Sequence, residues 1–250
     1  MTREEKLVVE FLNQSLTLNL EVLDTINDQK TPDFITTLDG KKYLLELKSS
    51  FESDEAVEAK KLAFEQDEIY RKHEVIGPTN KNSRNFNNAY KQLKNRKDSE
   101  SAEYCLYIIN LTNTDSSYQE QTVFANLLGA ANVLTDGECS TCLYYHESEF
   151  FKRRDLIDGA IIVAMNSNPV LVLNDYSENY LPLKASSLAS LFDEVYDPVL
   201  MEKNPGVISV REGIDRKDRA ALRSYLEKKY GFEFAIQVPF QYFSTSAIIK

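Results

Sequence analysis

Cysteine, histidine, glycine and positive charge are all scarce in this 250-residue chain, and each scarcity removes a class of function. Cys105, Cys139 and Cys142 cannot build a disulfide framework and leave a thiol unpaired, as expected in a reducing compartment. No apolar run approaches the ~18–20 residues of a membrane span. The opening MTREEKLVVEFL is charged and amphipathic, without the apolar stretch of a signal peptide, so a cytoplasmic address away from membranes is the expectation. No Walker-type or dinucleotide-binding glycine loop is present. The two histidines, His73 and His146, stand in no recognisable nucleophile motif, which leaves Ser-His or Cys-His catalysis without a carrier. Cys139, Cys142 and His146 lack the fourth ligand of a closed zinc site, and small apolar thiols are the better reading. Lys and Arg total 29 against 39 Asp and Glu, a formal charge of −10. That balance argues against a surface built mainly to coat anionic polymers or membranes, although a local basic patch remains compatible with it. Internal repeats, heptads and low-complexity tracts are absent from the sequence.

What is present is enough apolar residue, 42% of the chain, to bury a core. Leu7, Val8, Phe11, Leu12 and Leu16 recur at helical spacing over residues 2–15. A strand is expected at Leu20–Ile26, followed by Phe34–Leu38 and Lys41–Leu47 on either side of Asp39-Gly40, the dipeptide of a tight type I′ hairpin. Helix formers fill Glu52–Glu74 up to the stop at Gly77-Pro78. Asn85–Lys97 reads as a basic helix and Tyr104–Leu111 as a buried strand. Helix is expected at Tyr118–Val133, strand at Thr141–Tyr145, a short helix at Glu147–Arg154, strands at Ala160–Met165 and Val170–Leu173, and helix at Ser186–Glu194. After turn signals near residue 200 come a helix at Arg216–Tyr230 and a strand-like FAIQVPF. The class is α/β. One domain over residues 1–198 is expected, with 199–250 an extension, an accessory lobe or part of the same domain.

The chemistry concentrates on the hairpin. Alternation along an extended strand puts Glu46 and Lys48 on one face. Counting back from the Asp39-Gly40 turn pairs Leu38 with Lys41 and therefore Asp33 with Glu46, on that same face. Two carboxylates and an amine thus converge. Oxygen ligands of this kind suit Mg²⁺, which keeps several waters, and a metal-bound water beside a lysine suits phosphodiester hydrolysis. The competing reading is a turn-starting Asp33 with Glu46 and Lys48 as an exposed pair. Against it stand Tyr43, Leu44, Leu45 and Leu47, an apolar run that suggests a strand covered on both faces, where ionised groups are costly unless paired or metal-bound.

Pro32-Asp33 with Glu46-Leu47-Lys48 resembles the motif of the PD-(D/E)XK, or restriction-endonuclease-like, phosphodiesterases, with a spacing similar to that of Holliday-junction resolvases. The resemblance covers about residues 2–111. It implies an αβββαβ core, a mixed central sheet flanked by helices, and Mg²⁺ or Mn²⁺ held by Asp33 and Glu46 with Lys48 acting on the attacking water. Family members often add an acid from the first helix. At ~100° per residue, Glu4 and Glu5 lie at the edges of the apolar stripe and Glu10 opposite it. Glu5 is slightly favoured, and acids that merely complement the helix dipole are the competing reading.

Between Val75 and Lys97 there is no acid, but Lys81, Arg84, Lys91, Lys94, Arg96 and Lys97 occur with Phe86 and Tyr90 interleaved. Such a segment can neutralise phosphates and stack on bases, so Lys81, Arg84, Tyr90, Lys91 and Lys94 are the candidate nucleic-acid contacts. A solvated basic face is the plain alternative. By the same resemblance Gln92 or Lys91 would reach the catalytic centre. The reading is a metal-dependent endonuclease, DNA preferred, of a kind used in defence, restriction or repair. The alternatives are an RNA endonuclease similar to cap-snatching domains, or a non-catalytic interaction module on the same fold. The acidic balance further implies a homodimer, a partner subunit or the divalent ion as an aid to nucleic-acid affinity.

Overall fold

The computed structural model describes residues 3–23, 32–51, 54–113, 116–165, 167–238 and 241–247. Within these, the side chains of residues 4, 51, 54, 71–75, 113, 116–118 and 241–247 fall outside the description. The first helix is α1 (Arg3–Leu16). Val8, Val9, Leu12 and Leu16 are buried, whereas Leu7 and Phe11, expected in the same stripe, are 56% and 37% exposed. The apolar positions of α1 span a wider arc than the face that meets the sheet. Of the strand expected at Leu20–Ile26, the described part is β1 (Glu21–Val22), and residues 24–26 lie outside the described set.

The hairpin follows the sequence closely, as β2 (Phe34–Leu38) and β3 (Lys41–Phe51). Asp39 and Gly40 take φ of 47° and 73°, the left-handed pair that a type I′ turn requires. The register runs from Leu38 opposite Lys41 to Phe34 opposite Leu45. Helix α2 (Asp54–Glu65) is shorter than its helix-forming composition suggests. Residues expected to continue it form β4 (Tyr70–Ile76), which pairs with the distant segment 241–247. Long-range pairing overrides local helix propensity there.

Helix α3 (Asn80–Glu100) begins where Thr79 Oγ1 accepts from the Asn82 N–H and ends at Ser101 with φ 52°. It leads into β5 (Tyr104–Asn113). Helix α4 (Ser116–Leu128) ends at Gly129, φ +59°, rather than running on to Val133. The remainder is β6 (Ala131–Thr135), β7 (Glu138–Leu143), α5 (Glu149–Lys152), β8 (Gly159–Val163), β9 (Val170–Leu173), α6 (Tyr180–Lys184), α7 (Ser187–Ser190), β10 (Glu194–Tyr196), α8 (Pro198–Met201), β11 (Val207–Ser209), α9 (Arg219–Tyr230), β12 (Ala235–Gln237) and β13 (Gln241–Ala247). None of the described helices is long and apolar enough to cross a membrane.

Among the described residues, seven strands form a mixed sheet in the order β1-β2-β3-β5-β8-β9-β10. Strands β3, β5 and β8 run parallel at its centre. Helices flank it. On one face Leu44, Cys105, Tyr107 and Ile109 pack with Phe86, Ala89 and Leu93 of α3 and Val123 and Leu127 of α4. On the other, Tyr43, Leu45, Leu47, Leu106 and Ile108 pack with Val8, Val9 and Leu12 of α1. Strand β3 is therefore buried on both sides over Tyr43–Leu47, as its unbroken apolar run implies.

A second sheet, β11-β7-β6-β12, joins residues 131–143 to segments beyond residue 200, with Leu222 and Leu226 of α9 in its core. Arg211 ties this region to the turn after β9. It is paired with Asp175, whose side chain is 1% exposed, and its Nε donates to Glu202 at 2.7 Å. Glu202 also accepts from Ser209 Oγ at 2.6 Å and Lys229 Nζ at 3.1 Å. These donors outweigh burial and pull Glu202 down to about 2, below the 4.5 of a free glutamate. The stabilisation is then present above pH ~4.5 and lost as pH falls toward 2. The thermal midpoint is expected to drop over that window, with a shallower drop for Glu202→Gln. Arg211→Met, which strands a buried Asp175, is expected to cost ~3 kcal/mol by denaturant titration.

Candidate active site

Asp33 sits one residue before β2, and the hairpin register carries it opposite Glu46. Its Oδ2 accepts from the Leu47 N–H at 2.8 Å, which pins the acid against the strand that bears the other two groups. Glu46 lies on the α3 side of the sheet and is fully buried. Its Oε1 pairs with Lys48 Nζ, its Oε2 is buried, and when protonated its carboxyl shares a hydrogen bond with that of Asp33. Lys48 Nζ also donates to Gln92 Oε1 of α3 at 3.1 Å. The geometry thus brings Asp33, Glu46, Lys48 and Gln92 together. Glu46 and Lys48 are a buried acid with a partly exposed amine, not an exposed surface pair.

The electrostatics of the two acids follow from burial. Desolvation, then the charge of Asp33, push Glu46 up to about 8, with Lys48 opposing. Asp33 is also raised, by burial first and by Glu5 in lesser degree, while the Leu47 N–H and Lys48 pull it down. Asp33 thus raises Glu46 while a hydrogen bond from Glu46 lowers Asp33, and two buried carboxyls so placed form a donor set that a divalent cation satisfies. Mg²⁺ commonly takes one or two carboxylates and keeps water on its other positions. No cluster of three or more His, Cys, Asp or Glu suited to a metal occurs among the described residues, so the fit rests on this pair. Glu5 is half-buried and close enough for its charge to act on Asp33. The Glu4 side chain lies outside the described residues, and Glu10 is exposed.

Helix α3 spreads the basic candidates over three parts of its surface. Its buried residues are Asn82, Phe86, Ala89, Leu93 and Arg96. At ~100° per residue, Lys81 falls on the flank that carries Gln92, while Arg84 and Lys91 lie on the back of the helix, opposite its buried face. All three are exposed. Tyr90 and Lys94 fall on the opposite flank, toward α5. There the Tyr90 hydroxyl donates to Asp155 at 2.8 Å, and Lys94 lies over the Tyr90 ring. Phe86 is stacked on Tyr107 in the core, Arg96 pairs with Glu100, and both are buried. The regular alternation of charge and aromatic residues in the sequence therefore spreads over both flanks and the back of the helix. Lys91 is exposed beside Gln92 rather than at Lys48.

Cys139 and Cys142 lie three apart on β7, one exposed and one buried, and join no metal cluster among the described residues. His73 has no described side chain. One positioning residue escaped the sequence reading. Asn110, fully buried, donates to Ser49 Oγ at 3.1 Å and accepts from the Thr112 N–H at 3.0 Å, fixing the end of β3 just past Lys48. An asparagine inside the apolar run YCLYIINL was its signal. Comparison with known proteins finds no matching family model, no similar curated protein and no similar solved structure.

Proposed function

We propose that the chain is a divalent-metal-dependent nuclease on a restriction-endonuclease-like core, with DNA as its preferred substrate. The observation that carries this reading is the convergence of Asp33, Glu46, Lys48 and Gln92, two neighbouring buried acids with an amine and an amide beside them. The element order lends support, since α1, strands β1 to β3, a helix and the parallel strand β5 run as in that core, with α2 and β4 inserted. Asp33 and Glu46 would hold Mg²⁺ or Mn²⁺, with Glu5 beside them. When bound, the ion supplies polarisation of the phosphoryl oxygen and a water of lowered pKa. Lys48 directs its ammonium toward the attacking water and the charge that develops on the phosphate. Gln92 Oε1 fixes the rotamer of Lys48, and Lys81, Arg84 and Lys91 neutralise phosphates along α3.

The test is incubation with single- and double-stranded DNA and RNA in Mg²⁺, Mn²⁺ or EDTA. Cleavage is expected with metal and not in EDTA, and Lys48→Ala is expected to lower the rate ~100-fold. Cleavage that persists in EDTA, or that Lys48→Ala leaves at the parent rate, would overturn the assignment.

A further inference from the structure

Beyond the first turn of α3 lies a cavity of about 250 Å³, walled in part by Gln121, Phe124, Asn132, Thr141, His146 and Gln237. Gly77 also lines it, two residues before the Thr79 cap of α3. Three primary amides, a hydroxyl and an imidazole surround the space, with a phenyl ring beside them. None of the described lining residues is an Asp, Glu, Lys or Arg. Burial and the neighbouring Arg219 pull His146 down to about 4, so its ring is neutral at neutral pH. Arg219 Nη2 lies 3.5 Å from His146 Nδ1 and Gln237 Nε2 lies 3.2 Å from His146 Nε2, so an N–H donor faces each ring nitrogen.

This chemistry selects against a phosphate, which needs cations, and against a metal ion, which needs carboxylates or thiolates. It matches a neutral planar heterocycle. Asn and Gln amides present the donor-acceptor pairs that read base edges, and an aromatic ring offers a stacking surface. From this cavity α3 runs to Gln92, with Lys81 on the Gln92 flank and Arg84 and Lys91 exposed on the back of the helix. The helix between Asn80 and Gln92 is about 18 Å long, on the order of five nucleotides of a stacked strand.

We propose that this cavity binds an unpaired nucleobase of the strand whose scissile phosphate lies at Asp33 and Glu46. The inference rests on the nuclease reading above and adds a base-reading subsite to it. A short fluorescein-labelled single strand and its abasic counterpart are titrated in EDTA by fluorescence anisotropy, and both are assayed for cleavage in Mn²⁺. The parent protein is expected to favour the base-bearing strand at least ~5-fold. Asn132→Leu and Gln121→Leu, made separately, are expected to bring that ratio toward one. Equal binding of the two strands by the parent, or an unchanged ratio in both variants, overturns the subsite. Base preference without cleavage overturns the nuclease reading and leaves the subsite standing. Cleavage without base preference does the reverse, and absence of any binding overturns both.

Discussion

Glu46→Gln is expected to abolish metal-dependent cleavage and, in the same protein, to raise stability in EDTA. The first effect follows from losing one of two carboxylates available to the ion, and a fall on the order of 1,000-fold is expected. The second follows from the burial of Glu46. Desolvation and Asp33 push its folded-state pKa up to about 8, against 4.5 for a free glutamate. Between those values the unfolded chain is ionised while the folded chain holds its proton. Glu46 therefore favours folding most below pH ~4.5, and that contribution is lost as pH rises through about 8. Glutamine does not ionise, so denaturant titrations in EDTA at pH 7–8 should show the variant more stable by ~1–3 kcal/mol. Mn²⁺ should raise the midpoint of the parent, because it binds only the folded state, and leave the variant unmoved. A Glu46→Gln protein that is less stable than the parent at pH 8 in EDTA would contradict the electrostatic account. One that cleaves at the parent rate would remove Glu46 from the mechanism.

Gly129→Ala is expected to be the most damaging single substitution outside the site. Gly129 ends α4 at φ +59°, and a Cβ there would lie 2.3 Å from the His146 carbonyl oxygen. The close approach is held by two backbone bonds, His146 N–H to Gly129 O and Tyr144 N–H to Leu128 O, both 2.8 Å. Alanine would meet left-handed strain of ~1–2 kcal/mol and a backbone clash that no rotamer relieves. A combined loss of at least ~3 kcal/mol is expected, or roughly 10 °C in thermal midpoint. Gly213→Ala, where a Cβ meets nothing and φ is ordinary, is the matched control and should be nearly neutral. Equal midpoints for the two variants would show that the strands after α4 can shift without penalty.

The parts of the fold legible in sequence are those specified locally. Asp39-Gly40 dictates its turn, the turn dictates the register, and the register alone brings Asp33 opposite Glu46. The apolar runs of β3 and β5 announce burial on both faces. What escaped has partners far along the chain. Tyr70–Ile76 carries helix formers in its neighbourhood, and only its pairing with 241–247 makes it a strand. The second sheet gathers β6 and β7 with strands beyond residue 200, a combination no local window contains. In α1, composition offered five apolar positions, and the packing surface accepted Val8, Leu12 and Leu16 while leaving Leu7 and Phe11 outside. Gln92 was reached by resemblance. The separation of Lys81 from Tyr90 and Lys94 required knowing which face of α3 meets the sheet.

The pairing of β4 with β13 has a consequence for how the protein is made. Asp33, Glu46, Lys48 and Gln92 leave the ribosome early, yet the strand bordering α3 acquires its hydrogen-bonding partner only after residue 247 has been translated. Until then Tyr70–Ile76 lacks the partner that makes it a strand. Formation of this ribbon therefore waits on a segment translated long after the residues of the site.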